Sequence, residues 1–310
     1  MGTIETQLPV RREGRPSWLP SEEFPFESRF LDLDGHRIHY VDEGSGPPLL
    51  FVTAGAVWSF VFGPLIERLR DQYRCIALDL PRAGLSRAAG GYETGLEPAS
   101  RVVERFVLSL DLHEVTVVLH DLGVGITLGV AARHPERFRG IAVIEGFGWS
   151  LQDENPKVAR MLRIIGSRTV RAVNGATTVL ARASTMSFGV GRHLSRGGKR
   201  AFRGPFRDRD VRRDALLMLR DAAHADDYLR TVDRALGTTL SDRPVLLVFG
   251  EKSPARKAGF PDQWKSRFPQ AALVVVEGGH HFPQMDEPDL VADAIRCWWA
   301  ERVGPAAPRE

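Results

Sequence analysis

A chain of 310 residues with 43% apolar side chains can bury a sizeable core, and its composition is neither disordered nor fibrous. A net charge of +3 is too weak to imply nucleic acid, and no apolar run is long enough to span a bilayer. Cys75 and Cys297 lie inside apolar runs, which predicts buried thiols and no disulfide framework.

The first twenty residues read as a loose arm without the apolar stretch of a secretory signal, so a cytoplasmic protein is expected. Strands follow at 29–33 and 37–42, joined by Asp34-Gly35, a strong hairpin signal. An apolar strand at 48–53 leads to helical periodicity over 57–70, and 74–80 is a buried strand. Helix 96–110, strand 115–120, helix 123–133 and strand 140–144 continue the alternation. It stops over 148–236, which is helical and Arg-rich, and resumes with strand 244–250, helix 262–268, strand 272–277 and helix 289–302. Alternating strand and helix predicts an α/β fold with a mostly parallel sheet flanked by helices. The organisation expected is a core of 21–147 and 237–304, a helical cap of 148–236 and an N-terminal arm of 1–20.

Charge is uneven. Between Lys157 and Arg213 basic residues heavily outnumber acids, with Arg192, Arg196, Lys199, Arg200 and Arg203 closely spaced. This is either a solvated lid surface or a landing surface for an anionic substrate or acidic partner.

The chemistry centres on Val117-Val118-Leu119-His120-Asp121-Leu122-Gly123-Val124-Gly125, where a strand runs straight into a helix. Such a turn pushes one residue out at the carboxyl edge of the sheet, where open α/β sheets hold their sites. Gly123 and Gly125 let strand and helix approach closely. Asp121 then occupies a nucleophile elbow, although an Asp ahead of a helix is also a common N-cap. Glu277-Gly278-Gly279-His280-His281-Phe282-Pro283 follows the last strand, and a histidine there can reach the elbow as a general base. Glu145 ends the strand after the elbow helix and is the expected orienter of that histidine. Glu251, after strand 244–250, is the reserve.

These residues resemble the haloalkane dehalogenases and their relatives the epoxide hydrolases, over nearly the whole chain from Phe24 to Arg302. The motifs are His120-Asp121-Leu122-Gly123, Trp58-Ser59-Phe60, Asp79-Leu80-Pro81, His134-Pro135-Glu136 and His281-Phe282-Pro283-Gln284. The resemblance implies an α/β-hydrolase fold with an inserted helical cap, no cofactor and no metal. It favours His281 over His280 as the base, because His281 precedes Phe282-Pro283-Gln284, and Glu145 matches the acid of one dehalogenase subfamily. It also implies an oxyanion hole from the backbone of Leu122 and of Ala54 or Gly55.

Two departures stand out. Dehalogenases hold the departing halide with a Trp after the nucleophile and commonly with an Asn in the loop after the third strand. This chain has Leu122 and Thr53-Ala54-Gly55-Ala56 there. Neither leucine nor glycine can donate a side-chain hydrogen bond. Trp58, Trp149 and Tyr228 are the expected pocket side chains, Trp149 as a substitute halide donor and Tyr228 as an acid for epoxide opening. Tyr228 also reads as a helix tyrosine packed on the core. The function expected is hydrolysis of a small molecule through an aspartyl ester, with an epoxide first and haloalkane or β-lactone substrates as alternatives. A non-catalytic ligand-binding homologue is the reading from another class. No nucleic-acid or membrane partner is expected.

Overall fold

The computed structural model describes residues 11–12, 14–54, 57–186 and 189–304. Nine strands form one sheet: β1 Arg11–Arg12, β2 Arg29–Leu33, β3 His36–Glu43, β4 Pro48–Val52, β5 Arg74–Leu78, β6 Val115–His120, β7 Phe138–Ile144, β8 Val245–Gly250 and β9 Ala272–Val276. Their order is β1-β2-β3-β5-β4-β6-β7-β8-β9, antiparallel from β1 through the β3–β5 pair and parallel from β5 to β9. The Asp34-Gly35 turn closes β2 on β3 with both residues at positive φ, 50° and 82°, as a two-residue hairpin of matching twist requires. Central strands β6 and β8 are buried at every residue, the mark of strands covered on both faces.

Helices α1 Gly63–Leu69, α2 Leu96–Ser109 and α3 Gly123–Arg133 connect the strands up to β7. The helical pattern over 57–70 starts late. Ser59–Phe62 is a 3-10 turn and Pro64 begins α1, where its missing N–H and fixed φ cost nothing. Between β7 and β8 lie α4 Leu151–Glu154, α5 Pro156–Ile165, α6 Arg168–Ala176, α7 Val179–Ser184, α8 Arg196–Arg203, α9 Arg209–Ala222 and α10 Asp226–Leu236. The last four helices are α11 Pro254–Lys257, α12 Phe260–Arg267, α13 Pro283–Asp286 and α14 Pro288–Trp298. One apolar cluster joins the sheet to α2, α3, α10 and α12; a second joins the opposite face to α1, α13 and α14.

Three expectations change. Helix α10 packs on α3, so 226–236 sits on the flank of the sheet instead of over the site. A Cβ on Gly129 of α3 would lie 2.1 Å from the Tyr228 hydroxyl, and one on Gly125 3.1 Å from Leu229. Gly125 therefore admits α10, not a strand. The described part of the arm is anchored. The Arg15 guanidinium donates to the Phe26 carbonyl at 2.9 Å and to that of Phe24, and Leu19 is buried. Cys75 is buried, which pushes its thiol up to about 12, but Cys297 is exposed. Ile295 and Trp298 take the inward face of α14 and leave Cys297 outside.

Candidate active site

The parallel strands deliver three side chains to one end of the sheet. Asp121 leaves β6 at φ 53°, and Glu145 leaves β7 at φ 57°, both in the left-handed region that L-residues seldom adopt. The turn at Asp121 is closed by its N–H on the Ile144 carbonyl (3.2 Å) and by the Val124 N–H on its own carbonyl (3.2 Å). Gly123 is obligatory here, because a Cβ would lie 2.3 Å from the Val52 carbonyl oxygen where α3 crosses the end of β4. His281 arrives on the loop after β9. That loop presses so closely on β8 that a Cβ on Gly250 would lie 2.2 Å from the His280 carbonyl oxygen.

His281 stands between the two carboxylates, with Nε2 3.9 Å from Asp121 Oδ2 and Nδ1 3.6 Å from Glu145 Oε2. Glu145 is fully buried and accepts a 2.5 Å hydrogen bond from the Gly250 N–H through Oε1, while its Oε2 has no hydrogen-bond partner and faces the imidazole. Burial works against an imidazolium at His281, but the carboxylates of Asp121 and Glu145 outweigh it and push the ring up to about 10. Glu251 is exposed and accepts from the Gly278 N–H at 2.9 Å, turned to its own loop. The His280 N–H donates to Asp286 Oδ2 at 2.8 Å, and its side chain reaches the same cavity.

His120, in sequence only a part of the elbow motif, holds the backbone of His281 in place. It is fully buried, and its Nε2 lies 2.9 Å from the His281 carbonyl, which can only accept. The ring must therefore donate there and accept at Nδ1 from the Thr53 hydroxyl, 3.0 Å away. Burial, with His281 adding, lowers His120 to about 4 and keeps it neutral. A histidine inside a strand buried at every position was the available signal.

Asp121, Leu122, Glu145, Phe147, His280 and His281 form the floor of a cavity of about 600 Å³. Its roof comes from α5, α7 and α9 of the insertion, with Val158, Leu162, Leu180 and Leu219 among the apolar contacts. Lys252 and Lys257, both exposed, stand at its edge. Leu122 faces the cavity, Ala54 is buried at the end of β4, and Gly55 lies outside the described residues. The three aromatic candidates do not line the cavity. The Trp149 indole donates to Asn155 Oδ1 at 2.9 Å and is enclosed by Phe260 and Trp264. Trp58 donates to the Phe202 carbonyl at 3.1 Å. The Tyr228 hydroxyl donates to the Gly125 carbonyl at 3.0 Å, behind α3. Trp58 and Trp149 are buried and Tyr228 half-buried by packing, and the donor of each is already satisfied. Among the described residues no cluster of three His, Cys, Asp or Glu side chains could hold a metal.

Residues 47–288 match the α/β hydrolase fold family. Haloalkane dehalogenase 2 of Mycobacterium tuberculosis is 31% identical over 274 residues, covering 88% of this chain and 94% of that protein. The cis-3-alkyl-4-alkyloxetan-2-one decarboxylase of Shewanella oneidensis is 27% identical over 288 residues, covering 89% of each. Among solved structures, the haloalkane dehalogenase DatA of Agrobacterium tumefaciens C58 superposes with a TM-score of 0.77 at 23% identity, covering 89% of this chain and 96% of that one. With the family match spanning 47–288 and the dehalogenase match nearly end to end, the chain belongs to the α/β-hydrolase fold family, in the branch of haloalkane dehalogenases and epoxide hydrolases.

Proposed function

We propose that this chain is a hydrolase that works through a covalent ester on Asp121. The observation that carries the reading is the file of Asp121, His281 and Glu145 across the floor of an apolar cavity. Asp121 attacks an electrophilic carbon, and its oxygen–carbon bond forms as the bond to the leaving group breaks. That step removes the negative charge of Asp121. The principal support for an imidazolium at His281 then disappears, its pKa falls, and the ring becomes a base able to take a proton from water. Glu145 orients the ring and balances its charge, and hydroxide adds to the ester carbonyl of Asp121. The Leu122 N–H, with one from Ala54 or Gly55, is the proposed support for the resulting oxyanion.

Attack in line places the leaving group on the far side of the carbon, towards the roof. The roof is apolar, and the donors of Trp149 and Tyr228 are occupied elsewhere. An epoxide, first by sequence, opens to a strongly basic alkoxide and needs an acid on that side. A halide needs two donors that Leu122 and the Thr53-Ala54-Gly55-Ala56 loop do not offer, and one such donor is commonly worth about 3 kcal/mol. A β-lactone cleaved at its ring carbon–oxygen bond leaves as a carboxylate, which needs no proton and stays tethered. The name of the Shewanella relative, an oxetan-2-one decarboxylase, points to the same ring. We therefore favour a strained β-lactone carrying apolar substituents, with water completing the conversion to the β-hydroxy acid.

The test is mass spectrometry of a His281→Ala variant incubated with matched β-lactones, epoxides and bromoalkanes. An adduct on Asp121 is expected, fastest with the lactone. Prompt bromide release by the unmodified protein would overturn the lactone preference. Absence of any adduct would overturn the covalent mechanism and favour a ligand-binding homologue.

A further inference from the structure

The outer face of the insertion plays no part in the proposed reaction. From residue 155 to residue 207 the chain has twelve lysines and arginines and no aspartate or glutamate. Among the described residues none of the twelve forms an ion pair with a carboxylate. The burial of Arg171 and the positive charge of Arg220 and Arg168 hold its guanidinium below the usual range, against the opposing charge of Asp214. A merely solvated face would be expected to mix both signs of charge.

The same stretch exposes apolar side chains. Nine large hydrophobic residues are exposed among those described, and six of them are Met161, Ile164, Val170, Val173, Val179 and Met186. Ile164 is 59% exposed and Met186 54%. Helices α5 and α6 both pack on α9, leaving their opposite faces outward. Met161 is exposed and also lines the cavity, so the apolar surface runs into the mouth of the site. On α7, Leu180 and Ala183 face the cavity while Val179 and Arg182 face solvent.

Nucleic acid would use the cations and leave six aliphatic side chains without purpose. An anionic bilayer uses both, with aliphatic groups at the acyl boundary and guanidinium groups on lipid phosphates. Among the described residues no helix is long and apolar enough to cross a membrane, so the contact is peripheral. We propose that the α5–α7 face of the insertion docks on an anionic lipid surface, with the cavity mouth turned to the lipid. The sequence alone led to an expectation of no membrane partner. That reading saw the charges but not the apolar residues exposed between them. The docking stands on the insertion itself and not on the reaction proposed for the floor.

The experiment is co-sedimentation of the full-length protein with vesicles of phosphatidylcholine alone and of phosphatidylcholine mixed with phosphatidylglycerol. Binding to the mixed vesicles only, released by salt, is expected. Ile164→Glu combined with Val173→Glu should weaken partitioning about tenfold or more, and Arg168→Glu with Arg182→Glu likewise. None of these four residues lines the cavity, so hydrolysis of a short water-soluble substrate should be unchanged. As a check that needs no loss of binding, Ile164→Trp should show blue-shifted fluorescence on the mixed vesicles. Three results would overturn the proposal: no binding, equal binding to neutral vesicles, or binding that survives the two glutamates.

Discussion

The floor and the roof of the cavity are built on opposite principles. On the floor the polar groups are held in fixed positions: Glu145 by the Gly250 N–H, His120 by Thr53 and the His281 carbonyl, with His281 set between two carboxylates. The roof over the same cavity is apolar on its inner surface, and among the described residues its outer surface combines cations that form no ion pair with exposed aliphatics. A network of buried polar groups tolerates almost no displacement, because each lost partner exposes a full desolvation cost. Apolar contacts are non-directional and can be rearranged. In the proposed mechanism, bond-making then belongs to the floor and the choice of substrate to the roof.

The largest effect expected is at the floor. Asp121→Asn should lower turnover by about ten-thousand-fold or more with little change in melting temperature, since the side chain projects into the cavity and contributes little packing. In the same variant the pKa of the His281 imidazole, followed by NMR titration, should be lower than in the unmodified protein, because Asp121 is the larger of the two raising influences. An unchanged titration would show that esterification cannot create the base.

Glu145→Gln should cost roughly a thousandfold, with Glu251→Gln near normal. The reverse result would move the orienting acid to the loop after β8. Smallest is the roof. Leu180→Ala should change relative rates among substrates of different chain length by about tenfold, with the rate on the best substrate nearly kept. A roof substitution that abolished turnover on every substrate would erase the distinction between the two surfaces.

The same division decides what could be read from the chain. The bounds of β6 and α3 are those that periodicity predicts, since a fully buried strand followed by a glycine-rich helix leaves a strong local pattern. Asp121, Glu145 and His281 come together because the order of elements along a parallel sheet fixes which strand ends are neighbours. Trp58, Trp149 and Tyr228 lie outside the cavity. Proximity in sequence to the site says nothing about which way a ring turns, and the partners of the two tryptophans come from the insertion: Phe202 from α8 and Asn155 from the junction of α4 and α5. The insertion announces itself as helical but carries no motif that registers one helix against another, so neither the packing of α10 on α3 nor the apolar face of α5–α7 was legible.

The left-handed backbone at Asp121 and Glu145 bears on how this site could be altered by selection. At such φ values asparagine, aspartate and glycine are tolerated and β-branched residues are not. The backbone there is also closely packed, since a Cβ on Gly146 would lie 2.6 Å from the Asp121 carbonyl oxygen. A mutational library at position 121 should therefore return folded protein mainly for aspartate, asparagine and glycine. The residue proposed as nucleophile can be exchanged within that list without disturbing the sheet, so a new chemistry at position 121 would leave the supporting scaffold intact.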